Sequence, residues 1–252
     1  MMRSRLLGEP TPETVSEKVR QFNEAIARYE GRRRYKVFGL LVGTTIVVCE
    51  AFLFYQVGVQ SNHLLSVLAV AVVAYVVADF VNGMVHLWMD NNDAYASVAG
   101  PLIAQFHLHH RTPRYRRRPL IAVYFLEGGS KVWLAVLLVA VVASIRWLPS
   151  WLVLFFAFFA VFSSLAEVSH YLCHTSNSKV AGFLGRIRLL LPKNHLELHH
   201  RQDNRSYCFL NGMSDPLIDW IAARFFRGYK QGTDLHYAQY VPPSQASPEA
   251  GR

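Results

Sequence analysis

Apolar stretches too long for the interior of a small soluble domain decide what this chain can fold into. Val37 to Val57 reads VFGLLVGTTIVVCEAFLFYQV, with Glu50 as its only charge. Leu64 to Phe80 reads LLSVLAVAVVAYVVADF, and its only charge, Asp79, stands near the end. Val132 to Ile145 is apolar between Lys131 and Arg146, and Leu148 to Ala166 carries no charge. A helix that crosses a bilayer needs roughly 20 mostly apolar residues, with a range of about 17–25. The first, second and fourth stretches meet this; the third is short unless its flanks join in. Pro149 suits a tight turn between the last two as antiparallel helices. The expected fold class is an all-α integral membrane protein with about four transmembrane helices.

Composition agrees. Hydrophobic residues make up 52% of the 252 and charged residues 17%, against about a quarter charged in a soluble domain. Cys49, Cys173 and Cys208 are too few and too scattered for a disulfide framework or a cysteine-rich zinc site. The net charge of +9, from 26 Lys+Arg against 17 Asp+Glu, would suit nucleic acid or an anionic membrane surface. The apolar stretches decide for the membrane, and no nucleic-acid partner is expected.

The first apolar run begins only after residue 36, so no signal peptide is expected. Thr11-Pro12-Glu13 reads as a helix start, with Thr11 as cap and Pro12 at the first helical position. The polar helix that follows ends in Arg32-Arg33-Arg34-Tyr35-Lys36, a basic cluster against the first span that belongs in the cytoplasm by the positive-inside rule. Two hairpins of spans then return Asn82 to Lys131, and everything after Ser169, to the same side. Arg111, Arg114, Arg116, Arg117 and Arg118 fall there, with no acid between Asp93 and Glu127. The expected division is a polar helix over 1–36, a membrane domain over 37–230 and a tail over 231–252. Both termini are expected in the cytoplasm, at a bacterial inner membrane or a eukaryotic endoplasmic reticulum.

Eleven histidines are more than packing requires. His63 lies at the outer turn and His236 near the tail. The other nine form four groups on the expected cytoplasmic side: His86 with Asp90 in HLWMD, His107, His109 and His110 in HLHH, His170 and His174 in HYLCH, and His195, His199 and His200 in HLELHH. Residues four apart on a helix share a face, about 6 Å apart along the axis. His86/Asp90, His170/His174 and His195/His199 are therefore two-pronged ligand sets. A lone His86 would more often be a cap or a core hydrogen-bonding residue, but four groups at one membrane face point to metal. Neutral imidazole suits zinc, copper, nickel and iron, and the groups supply enough ligands for two ions.

The HExxH pattern of zinc hydrolases is absent. Glu167-Val168-Ser169-His170 has the Glu-x-x-His form of carboxylate di-iron bundles, without the further carboxylates such a bundle needs. A histidine-rich pair of metals beside a membrane points to iron that activates O2, since breaking an unactivated C–H bond needs an oxidant that side chains cannot supply. A metal transporter would place its ligands mid-membrane, whereas here they cluster at one face.

The stretches ADFVNGMVHLWMD, FHLHHRTP, SHYLCH and, most specifically, LPKNHLELHHRQDNRSYCFLNG resemble the lipid desaturase family. That family includes animal plasmanylethanolamine desaturase, bacterial CarF-like proteins and a plant plastid desaturase of phosphatidylglycerol acyl chains. The resemblance runs from about Val76 to Trp220. It implies His86, His109, His110, His170, His174, His195, His199 and His200 as the histidine ligands, with Asp90 as the acid that follows the first of them. Asp79 matches an acid at the start of the first motif; it and the extra His107 are further candidates for a ligand or for the support of one. The resemblance also implies two iron ions, O2 as co-substrate and a membrane phospholipid as substrate. In the animal and CarF-like branch the product is the vinyl-ether double bond of plasmalogens. An acyl-chain desaturase or hydroxylase is the alternative enzyme, and a membrane metal-binding or transport protein the alternative outside enzymes. With no GxGxxG, haem or flavin motif present, an external electron donor, cytochrome b5-like or ferredoxin-like, is implied.

Arg111 and Arg114 are candidates for lipid phosphate, with a plain membrane anchor as the other reading. Cys173 and Cys208 read as packing residues. Glu50 is costly in lipid and is expected to face a partner helix. Leu217 to Tyr229 reads as an amphipathic interfacial helix or as packed core.

Overall fold

The computed structural model describes residues 12–58, 63–108, 119–202 and 204–226. Among them, all regular structure is helical: α1 (Pro12–Gly31), α2 (Arg33–Gly58), α3 (Leu64–Asp90), α4 (Gly100–His107), α5 (Leu120–Leu126), α6 (Val132–Ala143), α7 (Ser150–Thr175), α8 (Lys179–Arg186), α9 (Lys193–Arg201) and α10 (Asp215–Phe225).

Helix α1 begins at Pro12, as the sequence suggests. It does not carry the basic cluster, however. The helix stops at Gly31, and Arg33, Arg34 and Lys36 form the first turn of α2. Nor is α1 a solvated helix. Phe22, Ala25, Ile26 and Tyr29 recur at the spacing of one helical face, and all four are buried. The first three pack with Met89, Tyr95, Ile103 and Ala104, which fixes α1 against α4 and the loop that follows α3.

Helices α2, α3 and α7 are each long and apolar enough to cross a membrane. The short third stretch does recruit its flank: α5 and residues 128–143 pass the same test together, bent by 55° at the break. Side chains such as Leu41, Val48, Leu65, Val72 and Val136 stand more than half exposed, a belt that only lipid would cover. Inside the bundle, Ala74 and Ala78 of α3 and Ala157 and Ala160 of α7 are fully buried. Between membrane helices, small residues allow the close backbone approach that packing energy requires.

Helices α3 and α7 run side by side in the same direction, as the ring pairs Tyr75–Phe162 (5.1 Å) and His86–His170 (6.4 Å) show. Their C-terminal ends therefore meet at one end of the bundle. Glu50 faces its neighbours as expected: Ser164 Oγ donates to its Oε1 at 2.6 Å and bonds the Tyr124 hydroxyl at 2.8 Å. The last amphipathic segment packs on one face and is exposed and apolar on the other. Ile218 and Ala222 of α10 are buried with Leu87 and Tyr207, while Leu217, Trp220 and Phe225 are exposed. Residues 227–229 lie outside the described residues.

The approach of α2 to the end of α5 is close enough to exclude a methyl group. A Cβ on Gly39 would lie 2.7 Å from the Leu126 carbonyl oxygen, a backbone atom that cannot yield, whereas one on Gly31 meets nothing within 4 Å. Gly39→Ala is expected to lower stability by about 1–3 kcal/mol, and Gly31→Ala to be neutral or mildly stabilising. Thermal unfolding of the two variants in detergent checks this; equal melting temperatures would contradict the packing.

Candidate metal centre

The C-terminal turns of α3 bring His86 and Asp90 onto one face, and both are buried. Helix α9 sets His199, wholly buried, against them. His86 Nε2 lies 3.1 Å and His199 Nε2 3.4 Å from the same oxygen, Asp90 Oδ2. One ligand atom from each of the three residues lies within 4.8 Å of those of the other two, so the group could hold a metal ion.

The other ring nitrogen of each histidine is tied to the backbone. His86 Nδ1 lies 2.7 Å from the Tyr207 carbonyl oxygen, and His199 Nδ1 lies 2.8 Å from that of Arg205. A carbonyl only accepts, so both Nδ1 atoms carry hydrogen, and Nε2 of each neutral ring presents a lone pair. Two lone pairs and a carboxylate oxygen so arranged repel one another unless a positive charge joins them. Burial, reinforced by His86, pushes the His199 pKa below the ordinary histidine value, which favours the neutral ring, the form that can ligate a metal. An N,N,O donor set of this kind suits iron or zinc, and backbone hydrogen bonds that fix ring tautomer are usual around metal-ligating histidines.

A second assembly adjoins the first. His170 Nε2 and His174 Nε2 of α7 are 3.1 Å apart. The His200 ring lies 5.2 Å from that of His174 and 5.6 Å from that of His199. Phe209 joins the assemblies, with its ring 4.1 Å from His86 and stacked 4.2 Å from His170. A cavity of about 30 Å³ opens beside His86, with Lys131, Ser163 and Glu167 in its lining, room for one or two waters or a molecule of similar size.

The remaining candidates fall in different places. His195 shares a face of α9 with His199, but its Nε2 pairs with Asp215 Oδ2 at 3.0 Å. Burial alone would raise the Asp215 carboxyl pKa; His195 and the Cys208 amide reverse this and hold it below the usual carboxylate range. His107 is a buried packing residue: Nδ1 meets the Tyr95 hydroxyl at 2.6 Å and Nε2 the Met89 carbonyl at 2.7 Å. Asp79, at 0% exposure, holds backbone. Its Oδ1 accepts the amides of Asn211 (3.0 Å) and Gly212 (3.3 Å), and its Oδ2 that of Ser214 (2.9 Å). His109, His110, Arg111 and Arg114 lie outside the described residues. Cys173 donates to the Leu191 carbonyl at 3.0 Å, and burial pushes the Cys208 thiol pKa up; both behave as packing groups.

Sequence reasoning missed Asp215 and the carbonyls of Arg205 and Tyr207. All three depend on how segment 204–215 folds. It turns through left-handed residues Asn204, Ser206 and Gly212. At Gly212, with φ +81°, a Cβ would come within 3.0 Å of both His195 and Asp215. Asp215 in the first turn of α10 has the look of a helix-dipole residue, and only the Gly212 turn reveals its partner.

The fold and site together define a helical membrane protein with a candidate metal centre at one end of its apolar helices. The lipid desaturase domain family matches residues 75–231, and the chain belongs to that family. It is similar to plasmanylethanolamine desaturase of Myxococcus xanthus, 28% identical over 218 residues, which cover 81% of this chain and 74% of that protein. No solved structure matches it. The protein is thus a lipid desaturase, an oxidoreductase of the membrane.

His86→Ala and Asp90→Asn are each expected to weaken metal retention by about tenfold or more. His107→Ala should lower the melting temperature through its lost buried hydrogen bonds and leave metal per chain unchanged. Metal analysis after dialysis against a mild chelator, beside a thermal melt, separates the two. Loss of metal from the His107 variant alone would reverse the assignment.

Proposed function

We propose that this desaturase forms the vinyl-ether double bond of plasmalogens from plasmanyl (alkyl-ether) phospholipids, with two iron ions as cofactor and O2 as co-substrate. The observation that carries the reading is the buried His86–Asp90–His199 group at the end of the spans, next to His170, His174 and His200. Family membership and the likeness to a plasmanylethanolamine desaturase support it. His86, Asp90 and His199 would hold one ion. His170, His174 and His200 would serve the other, with His109, His110 and His195 completing the ligand set. When bound, the iron pair supplies the oxidising power for breaking unactivated C–H bonds at the expense of O2.

The reaction balances as loss of one hydrogen from each of two adjacent carbons beside the ether oxygen. Those two hydrogens, with O2, two external electrons and two protons, leave as two waters. The chain's own residues set the conditions for this. The Tyr207 and Arg205 carbonyls hold the Nε2 lone pairs of His86 and His199 inward, and the Asp90 carboxylate offsets the positive charge that gathers there. Phe209 and Phe106, whose rings lie 4.1 and 5.6 Å from His86, limit water at a centre that must not discharge its oxidant on solvent. Electrons come from an external carrier, cytochrome b5-like or ferredoxin-like. The histidine end and both termini are read as cytoplasmic, on the strength of the basic first turn of α2.

Lipid mass analysis of cells with and without the gene tests the reading. An acid-labile vinyl ether is expected only with the gene, and is expected to vanish in His199→Ala at matched protein level while persisting in His63→Ala. A new double bond confined to acyl chains would replace this reading with that of an acyl-chain desaturase.

A further inference from the structure

A cavity of about 450 Å³ opens between the last turns of α7, helix α8 and the start of α9. Its floor is tied down. Ser169 Oγ accepts the Leu191 amide at 2.8 Å and donates to the Leu210 carbonyl at 2.9 Å. Ser169 and Cys173, both in the lining, each precede one of the paired histidines His170 and His174. Cavity and histidine pair therefore occupy neighbouring faces of one helix, which with its side chains is about 10–12 Å across.

The lining is one-sided in charge: among the described residues it contains Arg186, Arg188 and Lys193 and no acidic residue. Arg188 sits at φ +60°. The Leu189 amide bonds the Leu184 carbonyl at 2.9 Å and the Arg188 amide bonds that of Gly185 at 3.2 Å. This is the Schellman closure of a helix, whose left-handed position normally belongs to glycine. An arginine there is strained backbone of the kind that marks functional positions. The outer side of the same element is apolar, with Val180, Phe183, Ile187 and Leu189 exposed. The Tyr75 hydroxyl of α3 donates to the Leu189 carbonyl at 2.9 Å, which holds this amphipathic segment, of the kind that settles on membranes, against a membrane-crossing helix.

We propose that this cavity seats the phosphodiester of the substrate phospholipid, gripped by Arg186, Arg188 and Lys193 through charge-assisted hydrogen bonds. The inference rests on the proposed vinyl-ether reading for the identity of the substrate. Six bonds separate the ether-linked alkyl carbon from phosphorus, a span of roughly 8 Å at ordinary bond lengths. A phosphate anchored one helix width from His170 and His174 brings that carbon to the histidine assembly. A mid-chain double bond would need its chemistry much further from the phosphate.

The test uses full-length protein in detergent micelles and native mass spectrometry with two probes, dihexanoyl phosphatidylethanolamine and dihexanoylglycerol. The unsubstituted protein is expected to bind the phospholipid about tenfold or more tightly than the diacylglycerol. Arg186→Gln with Lys193→Gln should abolish that preference and leave diacylglycerol binding unchanged. Arg188→Gly should also weaken phospholipid binding while raising or preserving the melting temperature, an outcome that a purely structural arginine would not give. A retained preference in the double variant, or equal loss of both lipids, overturns the site. Inorganic phosphate competing at the concentration of the phospholipid itself would show a free-phosphate site and overturn the lipid assignment. Binding requires neither iron nor turnover. Phosphate-dependent binding without vinyl-ether formation in cells would therefore refute the proposed function and leave the phospholipid site standing.

Discussion

The buried Asp79 carboxylate accepts three backbone amides, those of Asn211, Gly212 and Ser214, and this attachment lays the chain after α9 along α3. The backbone groups that orient the histidines follow from it. The Tyr207 carbonyl reaches His86, the Arg205 carbonyl reaches His199, and the Cys208 amide reaches Asp215. A carboxylate so deep in the protein would be costly without partners. Three amides satisfy it, and amides that would otherwise lack partners in a sharply turned loop are satisfied in return.

The bilayer makes this arrangement necessary. Within hydrocarbon a helix has no spare backbone donors or acceptors, so irregular chain that can orient side chains must lie at the ends of the spans. Parallel α3 and α7 deliver His86, Asp90, His170 and His174 to one such end. The short helix α9 and the turns after it supply His199, His200 and the backbone acceptors from the opposite side. The bent α5–α6 element and α1 close the remaining flanks. The apolar belt and the histidine end are thus one design: the same helices that expose apolar side chains along their length carry the histidines gathered at their ends.

Much of this was legible in the sequence because its signals are local. The apolar runs set the spans, and i, i+4 spacing paired His86 with Asp90 and His170 with His174 on one face each, contacts of 3.1 Å in both cases. Local spacing does not carry tertiary partners. His195 and His199 share a face of α9, yet one meets Asp215 and the other Asp90, carboxylates that α10 and α3 bring to it from far along the chain. His107 stands in HLHH but is absorbed by Tyr95 and Met89. Asp79, matched by position to the first motif, acts as a backbone cradle whose partners the spacing does not show. The burial of α1 was hidden by its polar face, since four apolar residues in a charged helix read as little until a partner surface is known. Tertiary pairing through left-handed turns has no sequence period, so Asp215 and the carbonyls that fix the imidazoles appear only in the folded chain.

The central claim is that the histidine and aspartate side chains gathered at the ends of α3, α7 and α9 hold a pair of redox-active ions. The direct measurement is metal analysis of full-length protein purified without oxygen, with Mössbauer spectra of the same sample. About two iron ions per chain, in nitrogen- and oxygen-rich coordination, are expected. Stoichiometric zinc with no iron would contradict the account.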